Sequence, residues 1–147
     1  MAEKYTVVED FELEEFAEGR WRIKSYLGYD LPPFIIIPST INGKRILEIG
    51  ESLFEFQIQL QGVKIEDGIA KICDDAFKQC TNLYYVDFGK TLKVIGDYAF
   101  GGCPLYKIVF PKTLVKIGES AFQDWDENCD LIDIIKIPKS VKEIKKY

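Results

Sequence analysis

Along most of the chain, apolar residues recur on two interleaved spacings. In the first, Leu60, Val63 and Ile65 are matched by Leu83, Val86 and Phe88, by Leu105, Ile108 and Phe110, and by Ile132, Ile135 and Ile137, with Ile35 and Ile37 as a partial first member. The last two positions of each set flank a single residue, as in a strand with one buried face. In the second, Ile49-Gly-Glu-Ser-Leu-Phe54 is restated as Ile72-Cys-Asp-Asp-Ala-Phe77, Ile95-Gly-Asp-Tyr-Ala-Phe100 and Ile117-Gly-Glu-Ser-Ala-Phe122. Self-similarity at a near-fixed period of this size is the mark of a solenoid, in which no unit buries its apolar face alone and the stack does so together.

The residues between these columns predict how each coil turns. Gly89-Lys-Thr-Leu92, Pro111-Lys-Thr-Leu114 and Pro138-Lys-Ser-Val141 end each strand with a residue that continues a ladder poorly. Ile72, Ile95, Ile117 and Ile144 then form a second short extended column. The segments from Gly and acid to Ala-Phe suit one or two turns of helix, with the acidic residue near the helix start. The expected fold is therefore an α+β repeat solenoid.

The first thirty-three residues do not repeat. Apolar residues at 11, 13 and 16, then at 21, 23 and 26, flank Glu18-Gly19 and read as a β-hairpin. Arg20, Arg22 and Lys24 can face Glu12, Glu14 and Glu15 across it; the contrast reads either as cross-strand pairing or as an acidic docking surface. The expected organisation is a hairpin cap over residues 1–33 and a repeat array over 34–147, together one structural domain.

Composition narrows the function. The 147 residues are 47% apolar, with 24 acidic and 19 basic side chains and a net charge of −5, which argues against a nucleic-acid partner. Nothing reaches the length of a membrane-spanning helix. The N-terminus lacks the apolar core of a secretory signal, so the expectation is a cytoplasmic protein, or a surface or secreted one if an export signal ahead of Met1 is missing. There is no histidine, and Cys73 and the acidic pairs Asp74-Asp75 and Asp124-Asp126 lack a catalytic partner. No enzyme, metal or cofactor is expected. Cys80, Cys103 and Cys129 occupy equivalent positions and read as buried thiols in one core layer, in preference to disulfides.

The pattern Ile-Gly-x-x-Ala-Phe-x-x-Cys-x-x-Leu-x-x-Ile-x-Phe/Ile-Pro resembles the BspA-like, treponemal-type leucine-rich repeat. The resemblance runs from about Trp21 to the C-terminus and implies a right-handed coil with a parallel β-sheet on its concave face. It also implies a non-catalytic module that holds a protein partner on that face, exported members of the family being adhesins. The pattern differs from the commonest leucine-rich repeat in that Cys80 precedes Leu83, and three features of the chain depart from the pattern itself: Cys73 replaces the motif glycine, Leu53 replaces the alanine, and four extra residues fall between Phe122 and Cys129. Trp125, in that insertion, reads as a local plug or as an exposed anchor.

The candidate surface is the side of the strands that faces away from the core. At rung spacing Tyr84 falls beside Tyr106, and Tyr85 beside Lys107, with Asp87, Val109 and Lys136 further along the same face. Tyrosine suits binding sites, having contact area with little entropy to lose; it also simply favours strands. The candidate partner-binding residues are Tyr84, Tyr85, Asp87, Tyr106, Lys107, Val109, Trp125 and Lys136. The alternative function is structural, with the protein, a monomer or weakly self-associating, joining copies through its terminal rung or sheet edge.

Overall fold

The computed structural model describes residues 4–123 and 137–145. Strand β1 (Thr6–Val7) precedes the hairpin strands β2 (Phe11–Ala17) and β3 (Arg20–Tyr26). The coils follow as β4 (Phe34–Ile37), β5 (Thr40–Ile41), β6 (Lys44–Ile49), β7 (Gly62–Ile65), β8 (Lys71–Ile72), β9 (Tyr85–Asp87), β10 (Val94–Ile95), β11 (Lys116–Ile117) and β12 (Glu143–Ile144). They form a four-stranded sheet in the order β1-β4-β7-β9 and a longer one running β12-β11-β10-β8-β6-β3-β2, with β5 paired to β6. All pairings are parallel except β2 with β3 and β5 with β6.

The two apolar columns become the inner faces of these sheets. Ile35, Val63 and Val86 pair across the short sheet, and Ile23, Ile49, Ile72, Ile95, Ile117 and Ile144 form one row across the long one. Between them the phenylalanines stack along the axis, with ring centroids 5.4 Å apart for Phe54 and Phe77, 5.1 Å for Phe77 and Phe100, and 5.5 Å for Phe100 and Phe122. Cys80 and Cys103 are free and buried, each thiol donating to a carbonyl one coil back, of Phe54 and Phe77 respectively, at 3.0 Å. Cys129 lies outside the described residues.

The hairpin enters the long sheet directly, β3 pairing with β6. Phe11 and Tyr26 close the stack by packing on Phe54, 6.1 and 6.4 Å away. Its charges are paired across the strands: Lys24 with Glu12 at 3.5 Å, and Arg22 with Glu14 at 3.8 Å and with Glu48 at 2.9 Å. The cap is thus stitched to the first coil by strand pairing, ring packing and one ion pair.

The expected helical turns do not form, and no helix occurs among the described residues. Ser52, Asp75, Tyr98 and Ser120, each two residues before its phenylalanine, adopt φ of +54°, +58°, +54° and +48°, and a left-handed residue ends a helix before it begins. The reason is visible in the hydrogen bonds. Alternate amides in these segments point along the axis, so that Asp75, Phe77 and Gln79 donate to the carbonyls of Asp97, Ala99 and Gly101 in the next coil. The amides between them close tight turns within the coil, as Lys78 does on Asp75. Satisfying a neighbouring coil's carbonyls outweighs local helix formation, and the architecture is a β-solenoid rather than α+β.

In two of the motifs the acidic residue at the start belongs to the same network. Asp74 Oδ1 accepts from the Asp97 amide and Asp97 Oδ1 from the Glu119 amide, both at 2.8 Å. A Cβ on Gly96 would stand 2.5 Å from that Asp74 oxygen, and one on Gly118 2.5 Å from the Asp97 carboxylate. Glycine follows the isoleucine because the previous coil's backbone, joined at Asp74 and Asp97 by a carboxylate, occupies the space, as the Ile23 carbonyl does at Gly50. Cys73 takes the glycine's place where the previous coil carries Glu51 instead.

Candidate functional site

The outward face of the four-stranded sheet carries a row of rings. Tyr84 stacks on Tyr106 with centroids 5.7 Å apart and planes at 21°. Phe34 meets Tyr84 edge-on at 6.3 Å, and Tyr5 meets Phe34 in the same way at 5.5 Å. Phe34 reaches so far because Gly62 separates it from Tyr85 in the register, and a Cβ on Gly62 would come within 2.7 Å of the Phe34 ring and 2.8 Å of the Tyr5 hydroxyl. The Lys64 ammonium sits 4.1 Å from the centre of the Tyr5 ring, a cation–π contact. Tyr5, Lys64, Tyr84, Tyr85 and Tyr106 together line a hollow of about 220 Å³.

The structure therefore brings Tyr84, Tyr85 and Tyr106 together. Asp87 lies opposite Lys64 in the register, but its carboxylate accepts the Gly89 amide at 3.0 Å and so shapes the turn. Lys107 and Val109 are exposed and lie beyond the last paired strand: the sheet ends at β9, and Lys107 takes φ +55° where the spacing predicts a strand. It follows a corner one residue shorter than its predecessor, Cys103-Pro-Leu105 in place of Cys80-Thr-Asn-Leu83. Trp125 and Lys136 lie outside the described residues.

Tyr5 and Phe34 escaped the sequence reading. The alternation Tyr5-Thr-Val-Val8 is too short to stand out, and Phe34 opens the apolar run Phe34-Ile-Ile-Ile37, in which nothing local marks it as outward-facing. Only the vacancy at Gly62, which falls on the outer face, could have indicated that a neighbouring ring crosses it.

The long sheet presents a different surface. Arg22, Glu48, Lys71, Val94, Lys116 and Glu143 form one outward row in register, with Arg22 held by Glu48 at 2.9 Å and Lys116 by Glu143 at 3.6 Å. Four of the five charges in this row are thus paired within it, Lys71 being the fifth. At its margin Cys73 is pushed up to about 11, by burial first and then by the nearby Glu48 carboxylate, so it stays a thiol at neutral pH and is a poor nucleophile. Among the described residues no group of three or more Cys, Asp and Glu side chains is placed to hold a metal ion, and no helix is long and apolar enough to cross a membrane.

Residues 47–147 match the model of the BspA type leucine rich repeat region, in six copies. Among solved structures, the chain is similar to the Treponema pallidum leucine rich repeat protein TpLRR, with a TM-score of 0.77, 27% identity, and coverage of 97% of this chain and 64% of that one. A leucine rich cell surface protein from Faecalibacterium prausnitzii superposes with a TM-score of 0.61 at 17% identity, covering 94% of this chain and 41% of that one. A leucine-rich repeat protein from Bacteroides ovatus does so at 0.55 and 19%, covering 95% and 40%. The last two show the fold alone. The chain thus spans a little under two thirds of the Treponema protein and about two fifths of the other two. No curated protein sequence matches it.

Proposed function

We propose that this chain, which belongs to the BspA type leucine rich repeat family, is a non-catalytic module that binds a protein partner on its four-stranded sheet. Repeat arrays of this type generally serve interaction. The observation that carries the reading is the contrast between the two sheet faces. One pairs four of the five charges of its outward row, through Arg22 and Lys116; the other offers the row Tyr5, Phe34, Tyr84 and Tyr106 around a hollow. Ring clusters of this kind supply large contact area from side chains with few rotatable bonds, which is how interface anchors gain affinity. The roles assigned are contact for Tyr84, Tyr85 and Tyr106, and flanking polar or apolar contact for Lys107 and Val109. Presentation at the cell surface fits this use; the Faecalibacterium protein that shares the fold is itself a cell surface protein.

The test is to immobilise the wild type and the Tyr84→Ala/Tyr106→Ala double variant and compare the proteins each retains at equal folded content. Loss of specific partners from the variant supports the reading; an unchanged set sinks it.

Self-association is the second reading. It draws on Ile137 and Ile144, apolar residues 51% and 47% exposed on the last described rung. Light scattering that finds a strict monomer over a wide concentration range would remove it.

A further inference from the structure

The corner joining the two sheets carries a line of lysines that the sheet-face reading does not use. The turns containing Lys90, Lys112 and Lys139 occupy equivalent places in three successive coils, each opening on Gly89, Pro111 or Pro138. Their register is fixed by the backbone and by two threonines. Thr91 Oγ1 donates to the Ile69 carbonyl at 3.0 Å and Thr113 Oγ1 to that of Leu92 at 2.6 Å, and Leu114 and Val141 close the same turn on Pro111 and Pro138. A parallel line lies three residues on, where Val115 donates to the Lys93 carbonyl and Lys142 to that of Val115. With coils about 4.8 Å apart, the ridge from Lys90 to Lys139 is about 10 Å long.

All five lysines, at 90, 93, 112, 139 and 142, are exposed, and none is in an ion pair among the described residues, unlike Lys24, Lys78 and Lys116. Asp67, at the head of the line, is engaged by the Lys90 amide at 2.7 Å. The asymmetry extends along the chain. Residues 1–75 hold fifteen acidic and eight basic side chains, residues 76–147 nine and eleven. A positive ridge in a protein of net charge −5 is a local field that attracts anions against the average.

We propose that this ridge is a second binding surface, for a sulfated polysaccharide. Three features favour that class. The cations are all lysine, although the chain has arginines at 20, 22 and 45; lysine meets each repeated anionic group as a point charge, without the planar fork that pairs bidentately with a carboxylate or phosphate. The turns contain no aromatic residue, so they offer no platform for nucleotide bases and no anchor for a protein interface. The ridge repeats in one dimension, as a linear polyanion does.

Heparin serves as the probe, with binding measured on the intact chain at two salt concentrations. The wild type binds and weakens as salt rises. Lys90→Glu/Lys112→Glu/Lys139→Glu lowers affinity by at least about tenfold, because each lost cation removes one neutralised anion; Lys90→Gln/Lys112→Gln/Lys139→Gln falls between. Lys4→Glu/Arg20→Glu/Arg45→Glu, with the same change in net charge at exposed sites elsewhere, binds like the wild type. Absence of wild-type binding, equal loss in both charge-reversed variants, or no loss in the glutamine variant overturns the proposal. So does equally tight, equally lysine-dependent binding of duplex DNA or polyglutamate. The sheet-face reading is independent, since Tyr84→Ala/Tyr106→Ala leaves heparin binding intact.

Discussion

Phe77 lies face to face on Phe100, 23 positions further along the chain, with centroids 5.1 Å apart and planes 5° from parallel. Both rings are buried, so the pair is at once core volume and axial contact. Phe77→Ala is expected to cost about 3–5 kcal/mol, the range for emptying a buried aromatic site. Phe77→Leu keeps most of the volume and loses the ring contact, at a cost nearer 1 kcal/mol. Urea unfolding of the two variants measures the difference; equal losses would mean that the retained volume counts for nothing and the ring contact carries the whole cost.

Ser52 is an exposed residue held at φ +54°. A left-handed conformation costs an ordinary residue roughly 1–2 kcal/mol, which glycine escapes while losing more unfolded-state freedom. Ser52→Gly is therefore expected to be neutral or slightly stabilising, and Ser52→Val destabilising by more than 1 kcal/mol, since a β-branched residue tolerates positive φ worst. A helical turn at 50–55 would invert the order, valine then being preferred to glycine.

Two glycines in one coil should respond oppositely to the same methyl group. At Gly96 a Cβ would meet Asp74 Oδ1 at 2.5 Å and its backbone nitrogen at 2.6 Å, whereas at Gly101 the nearest atom is 3.4 Å away. Gly96→Ala should cost about 1–3 kcal/mol through forced displacement. Gly101→Ala should stay within about 0.5 kcal/mol. Thermal melts of both variants decide whether close approach of the previous coil, rather than a general need for glycine, sets the motif.

In the cap, the Ser25 hydroxyl donates to Glu12 at 2.7 Å. That bond, and then the charge of Lys24, hold the Glu12 carboxyl below its ordinary value. A carboxylate with a lowered folded pKa stabilises above its unfolded pKa, and the contribution is lost as the pH falls through the folded one. Ser25→Ala should raise the Glu12 pKa toward the ordinary carboxylate range in an NMR titration and shrink the acid-side loss of stability. An unmoved pKa would mean that Lys24 alone sets it.

Much of this architecture is legible in the chain, and the parts that are not share a cause. Ile72, Ile95 and Ile117, the phenylalanine column and the hairpin around Glu18-Gly19 follow from spacing, because burial repeats with the coil. The sequence at Ser52, Asp75 and Tyr98 predicts helical turns, since Gly-acid-x-Ala-Phe has helix-start chemistry; the hydrogen-bond partners of these segments lie a coil away, where no local window reaches. Tyr84 and Tyr106 meet as rung spacing requires. Tyr5 joins them only because β1 pairs with β4 across the whole hairpin, and Lys107 leaves the row because a corner upstream is one residue short.

The axial bonds of the Asp75, Phe77 and Gln79 amides tie each coil to the next through its turns as well as through both sheets. A chain fastened at so many points around its circumference cannot gain or lose a residue in a wall without unfastening several ladders at once. Length variation is thereby channelled into the corners, as at Pro104. Substitutions on the outer face and at the lysine ridge remain uncoupled from that constraint, so this scaffold can change what it recognises while its frame stays in step.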